Sequence, residues 1–201
     1  MKCRHAKESE LKNVCDLLVS EFYNDPVLRF AFRQTNRDKR LVRLKFFFEI
    51  YINLARKFGG ILLSQNDVGV LVYFRPEIME VGNLEHERID SLLQQECGSD
   101  YENITALMNG LYNYHPYERP HYYVFLIAVR DSFRRKGVAT ELLSALNIIL
   151  DQEQMACYAE CTASTTQNLF EQVGYRAVNP PLIIEGFPQM FPVWREPTPT
   201  M

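Results

Sequence analysis

Apolar positions along this chain change their spacing several times, and each change marks an element. From about Ser9 to Phe22, Leu11, Val14, Cys15, Leu18 and Phe22 recur every three or four positions. This predicts an amphipathic helix that Asn24-Asp25-Pro26 stops. A short strand near Cys3 to Ala6 precedes it. A longer helix is predicted from about Arg37 to Lys57, where Leu41, Leu44, Phe47, Phe48, Tyr51, Ile52 and Leu54 stand among charges. Core packing explains that pattern better than a membrane surface does. Gly60 to Leu63 and Gly69 to Phe74, separated by Ser64-Gln65-Asn66-Asp67-Val68, read as an antiparallel hairpin. Helices follow at about Leu84 to Gln95 and Tyr101 to Tyr112.

The clearest change of spacing lies in YYVFLIAVRDSFRRKGVATELLSALNIIL, Tyr122 to Leu150. Tyr122 to Val129 is uncharged and rich in aromatic and β-branched residues, which suits a central strand covered on both faces. From Val138 onward Leu142, Leu143, Ala145, Leu146, Ile149 and Leu150 follow one helix face. A strand at Ala156 to Cys161 comes next, then a short helix from Ser164 or Thr165 to Gln172 with Gly174 placed to cap it. Tyr175 to Val178 and Leu182 to Trp194, interrupted by prolines, are expected to close one edge as irregular strands. The prediction is a mixed α/β (α+β) sandwich with a mostly antiparallel sheet.

Length and charge bound the function. At 201 residues with no repeats or linker, residues 1–201 form one expected domain. A net charge of −3 gives no overall attraction to nucleic acid or to an anionic membrane. The start, MKCRHAKESELK, is too polar for a signal peptide, and no run of eighteen apolar residues is present, so a cytoplasmic location is expected. Cys3, Cys15, Cys97, Cys157 and Cys161 form no CxxC and have no histidine at metal spacing; reduced thiols and no metal site are expected.

Against that background the cations Arg134, Arg135 and Lys136 stand out. They precede Gly137, Val138, Ala139 and Thr140 at a predicted helix N-terminus, whose first backbone N–H groups lack internal partners. Such a place attracts a phosphate or pyrophosphate. No GxxxxGK[ST] and no GxGxxG after a strand occurs, which disfavours the usual triphosphate and dinucleotide sites. The loop does fit [QR]xxGx[GA] after a strand of the form LxxVxxxF, through Leu126, Val129, Phe133, Arg134, Gly137 and Ala139.

With these residues the chain resembles the GNAT superfamily of acetyl-CoA-dependent acetyltransferases, and in particular its puromycin N-acetyltransferase-type branch. HPYERPHYYVFLIAV from His115, Tyr158 to Thr162, and LFEQVGY from Leu169 resemble neighbouring parts of the family in the same order, as does GVLVYFRPEIMEV from Gly69. The resemblance implies a GNAT-like sheet flanked by helices on both faces, with splayed central strands. It implies acetyl-CoA as acyl donor, with pantetheine pairing to backbone near Ile127, Ala128 and Val129, and pyrophosphate on the amides of Arg134 to Thr140. The implied reaction is direct attack by the amine of a small molecule in a ternary complex, with neither nucleic acid nor membrane as partner. A homodimer through sheet edges or the tail is compatible with it.

The sequence departs from the family where relatives often place a tyrosine that protonates the leaving thiolate. Phe170 holds that position, although it remains an expected contact of the donor. Tyr122, Tyr123 or Thr162 are candidate substitutes, with Tyr122 taken as a catalytic candidate. Glu160, at the end of a strand lining the gap, is the candidate general base or grip for the amine. Glu21 and Asp25 are weighed for the acceptor pocket. His115 and His121 are weighed as titrating groups or as parts of a rigid Pro-flanked turn. The aromatics Phe22, Tyr23, Phe30 and Phe32 fit core better than pocket. Two other functions stay open: an acyl-CoA-binding sensor, suggested by Phe170, and acetylation of proteins.

Overall fold

The computed structural model describes residues 3–80, 83–178 and 180–199. Among these, strands β1 (Arg4–His5), β2 (Gly59–Leu63), β3 (Gly69–Phe74), β4 (His121–Val129), β5 (Ala156–Cys161), β6 (Arg176–Ala177) and β7 (Phe191–Arg195) build one sheet in the order β1-β2-β3-β4-β5-β7-β6. Only β4 and β5 run parallel; the other neighbours are antiparallel. The crossover between that parallel pair is helix α6 (Val138–Glu153), as a parallel connection requires.

Helices α1 (Leu11–Phe22), α2 (Pro26–Ala31), α3 (Arg37–Phe58), α4 (Asn83–Cys97) and α5 (Tyr101–Tyr114) cover one face. Leu18, Phe48, Leu44, Val70, Val72 and Ile104 belong to that core. On the opposite face α6 and α7 (Ser164–Glu171) press Leu142, Leu143, Leu146 and Phe170 against Leu71, Tyr122, Val124 and Cys157. Both cores meet β4, which is why its sequence is apolar at consecutive positions.

Three expectations change. Asn24-Asp25-Pro26 does end α1, but it also starts α2: Asp25 Oδ1 accepts from the amides of Val27 and Leu28 at 2.9 and 3.0 Å, with Pro26 at the first helical position. A helix of six residues is too short to show a periodicity. The strand expected over Leu182 to Trp194 contracts to β7, preceded by a loop closed at a Leu182–Met190 bridge. That loop drives Ile184 onto α5, where a Cβ at Gly110 would sit 2.4 Å from the Ile184 side chain. The edge strands β1 and β6 are also shorter than expected, at two residues each.

Four of the five cysteines are buried and all are free. Among the described residues, no helix is long and apolar enough to cross a membrane.

Candidate active site

The parallel pairing of β4 with β5 runs from His121–Ala156 to Val124–Ala159 and stops there. Its end coincides with a register shift between β3 and β4, where Val72 and Tyr73 face Leu126 and Val124 and leave Phe125 as the extra residue. The bulge resets the alternation: Phe125 and Leu126 both turn toward the α1/α3 core, whereas Ile127 turns toward α6. An extra residue bends a strand and sharpens its twist. Beyond it Phe125 to Val129 diverge from Glu160 and Cys161, leaving a cleft of about 1080 Å³. Ile127, Ala128 and Val129 line it along the side of β4 that β5 has left.

At the mouth of the cleft the chain makes a tight turn into α6. Arg135 (φ 59°) and Gly137 (φ 81°) both adopt left-handed backbone, and Gly137 is the N-cap with no side chain bonding to the helix amides. Glycine carries this conformation at little cost, and a side chain there would be strained. Arg134, Arg135, Gly137, Val138, Ala139 and Thr140 line the cleft. The orphan N–H groups of the first turn of α6 therefore lie beside two guanidinium groups, an arrangement suited to a bound anion. Lys136 does not join them. Its ammonium donates to the Ser132 carbonyl at 2.9 Å and lies 5.0 Å from the centre of the Phe133 ring. The left-handed residues on either side rotate it away, so adjacency in sequence was a poor guide to its direction.

Glu160 is the first residue of β5 past the last β4 pair, on the face away from α6. Tyr123 and Tyr158 stand beside it and favour its charged form, and its Oε1 is buried with no partner. Burial raises its pKa to about 7, against the pull of the two tyrosines and of its own backbone. The same burial, with the carboxylate close by, pushes both tyrosines upward. Across the cleft Asp25 is committed through both oxygens: beyond capping α2, its Oδ2 accepts from Thr162 Oγ1 at 2.7 Å. Burial raises its pKa too, opposed by those hydrogen bonds. Glu21 accepts from Arg134 at 2.8 Å.

Residues 86–190, just over half of the chain, match the model of the acetyltransferase (GNAT) domain. The chain belongs to the GNAT acetyltransferase family. It is accordingly an acyltransferase. Its fold is shared with a histone acetyltransferase HPA2 and related acetyltransferase from Corynebacterium glutamicum, at TM-score 0.74 and 21% identity over 100% of this chain and 98% of that one. It is shared also with arylalkylamine N-acetyltransferase 2 from Aedes aegypti (TM-score 0.63, 13% identity, 98% of both chains). A third similar structure is an agmatine N-acetyltransferase (TM-score 0.62, 11% identity, 96% of this chain and 98% of that one). No curated protein sequence matches the chain significantly.

Several residues singled out in the sequence lie elsewhere in this GNAT fold. Tyr122 is wholly buried on the α6 side, where its hydroxyl donates to Glu153 at 2.7 Å and Arg75 lies over its ring. Strand alternation places it on the opposite face from Glu160, so it does not reach the cleft. Phe170 does line the cleft, 1% exposed and edge-on to Tyr175 at 4.9 Å, with no proton to give. His115 and His121 lie outside the cleft lining, and their Nε2 atoms are 3.1 Å apart. His121 Nδ1 is 2.9 Å from the Arg119 carbonyl and must carry a proton to donate to it, which leaves His115 as the donor between the two rings. Cys157 and Cys161 share the α6 face, as alternation requires, and burial pushes both thiols up to about 12. Of the four N-terminal aromatics only Phe22 lines the cleft; Phe32 is core.

The helices between Leu84 and Tyr112 and the proline-rich tail look suited to covering a pocket, but no pattern singled out Leu107, Met108, Leu111 and Met190 in the cleft wall. Their pattern reads as ordinary core, and only the docking of α5 and the 182–190 loop over β4 brings them there. Thr166 was detectable in principle, since it stands one helical turn before Phe170 on α7.

Proposed function

We propose that the protein transfers an acetyl group from acetyl-CoA to the amine of a small molecule, with both substrates bound at once. One observation carries this reading: the β4 edge freed by the Phe125 bulge, the anion-binding turn at Gly137 and the buried Glu160 converge on one cleft. The donor brings an activated thioester, so the work of the chain is mainly to position and to move protons. The backbone of Ile127 to Val129 takes the extended arm of the donor. Arg134, Arg135 and the amides from Gly137 to Thr140 take its pyrophosphate, with the Arg134–Glu21 pair kept. Glu160 Oε1 receives a proton from the incoming ammonium, directly or through a water. A carboxylate poised near neutrality suits that task.

Calorimetric titration with acetyl-CoA, alongside an Arg134→Ala, Arg135→Ala double variant, tests the donor site. Micromolar binding that collapses in the variant supports it, and no binding by the intact protein removes it. The second reading, an acyl-CoA sensor with weak catalysis, rests on Phe170 standing where a tyrosine would protonate the thiolate. Turnover of an amine at ordinary enzyme rates excludes that reading. Acetylation of proteins fits less well, because α5 and the 182–190 loop lie over the acceptor side of the cleft.

A further inference from the structure

Four carboxylates line the cleft among the described residues: Glu21, Asp25, Asp131 and Glu160. Three are engaged. Glu21 and Asp131 pair with Arg134 at 2.8 and 3.3 Å, and Asp25 accepts from two amides and from Thr162. Glu160 alone keeps a buried oxygen with no hydrogen-bond partner. The lining cations, Arg134 and Arg135, are confined to the turn before α6. The wall on the α5 side is apolar, built from Phe22, Phe47, Leu107, Met108, Phe125 and Met190. Because Glu160 projects from the face of β5 away from α6, it belongs to this apolar half.

We infer that the acceptor is a primary monoamine on an apolar body, an alkyl- or arylalkylamine whose single ammonium pairs with Glu160 while the rest of the molecule contacts the α5 wall. This specifies the acceptor of the acetyltransferase reading above and rests on it. A second ammonium in this half meets no second free carboxylate, and an unpaired charge in an apolar site is strongly disfavoured. A hydroxylated or very small amine forfeits the apolar contact. The reaction balances simply. The ammonium gives one proton to Glu160, and its nitrogen forms the bond to the acyl carbon as the carbon–sulfur bond breaks. A second nitrogen proton ends on the thiolate, and the amide keeps the third. Glu160 returns its proton to solvent.

Two matched pairs of amines test this with the full chain and acetyl-CoA, read by thiol release. Hexylamine against 1,6-diaminohexane isolates the second charge, and 2-phenylethylamine against ethanolamine isolates the apolar body. The expected preference in kcat/KM is about 30-fold or more for the first member of each pair. Equal or better use of the diamine or of ethanolamine overturns the inference and leaves the acetyltransferase reading standing. Calorimetry of the same amines with the CoA complex does not require turnover. If acetyl-CoA binds but hexylamine and 2-phenylethylamine neither bind nor react, the inference is overturned; if acetyl-CoA itself does not bind, the donor reading falls first. Met108→Glu, at a half-buried position of the wall, supplies the missing second carboxylate. It should narrow the hexylamine preference by about tenfold or more, and an unchanged preference argues against the assigned wall.

Discussion

Tyr123 and Tyr158 separate two buried titratable groups that the fold treats in opposite ways. On one side is Glu160, with an oxygen that nothing in the fold satisfies and a cleft in front of it. On the other is the His115–His121 pair, joined Nε2 to Nε2, anchored on the Arg119 carbonyl, and packed among Tyr123, Tyr158 and Trp194. Burial moves both from their ordinary pKa values: Glu160 up to about 7, His115 down to about 3 with the neighbouring His121 adding to the shift, and His121 also down. A perturbed pKa is therefore no guide to function by itself. What separates the two is bonding: the histidines share a hydrogen bond and a carbonyl anchor, whereas Glu160 holds an unmet acceptor beside the cleft.

The most direct way to break this contrast is Glu160→Gln. If Glu160 accepts the proton, kcat/KM should fall by about 10² to 10⁴. The wild-type profile should rise through an acid limb near pH 7, set by the free carboxylate, and the variant should lose that limb. Retained activity with the same limb would show that Glu160 is no different in kind from the histidines.

The same substitution should stabilise the protein. A carboxyl whose folded pKa is raised penalises folding once pH exceeds its unfolded value of 4.5, and the penalty is complete above about 7. Denaturant unfolding at pH 8 should show Glu160→Gln more stable by up to about 3 kcal/mol, at roughly 1.4 kcal/mol per pKa unit, with the difference gone near pH 4.

The histidines should behave in reverse. His121→Ala should cost about 2 kcal/mol of stability through the lost carbonyl bond and the cavity, while the folded enzyme keeps its kcat. The depressed pKa of the pair contributes stability that is present above about 6.5 and lost as pH falls toward 3. His115→Gln should flatten that acid-side loss in a pH series of melting curves. A fall in kcat for either variant would place the pair in the reaction after all.

The smallest effect sharpens the reading of the mouth of the cleft. Lys136→Ala should leave the acetyl-CoA Kd within about twofold, since exposed charge contacts contribute little. Arg135→Ala, at a lining position, should weaken binding measurably more by calorimetry.

Much of the frame was legible along the chain. The apolar block from Tyr122 to Val129 marks a central strand because only a strand covered on both faces tolerates apolar residues at successive positions. The spacing from Leu142 to Leu150 marks the helix that follows, and RRKG before it marks the turn at the mouth of the cleft. These signals are local, carried by neighbours in sequence; that Glu160 borders the gap was implied by the family resemblance. The sequence did not reveal which way individual side chains point. One extra residue at Phe125 reverses the alternation of β4, and left-handed backbone at Arg135 and Gly137 turns Lys136 out of the cleft. Tyr122 falls on the α6 side for the same reason of phase. The apolar wall of the cleft likewise exists only because α5 and the 182–190 loop pack at Gly110, a contact between segments distant along the chain. Sequence by itself determined the order and type of the longer elements, since hydrophobic periodicity is a local property. The tertiary structure decided which polar groups were satisfied and which were left facing a cleft, because satisfaction depends on partners that only folding brings together.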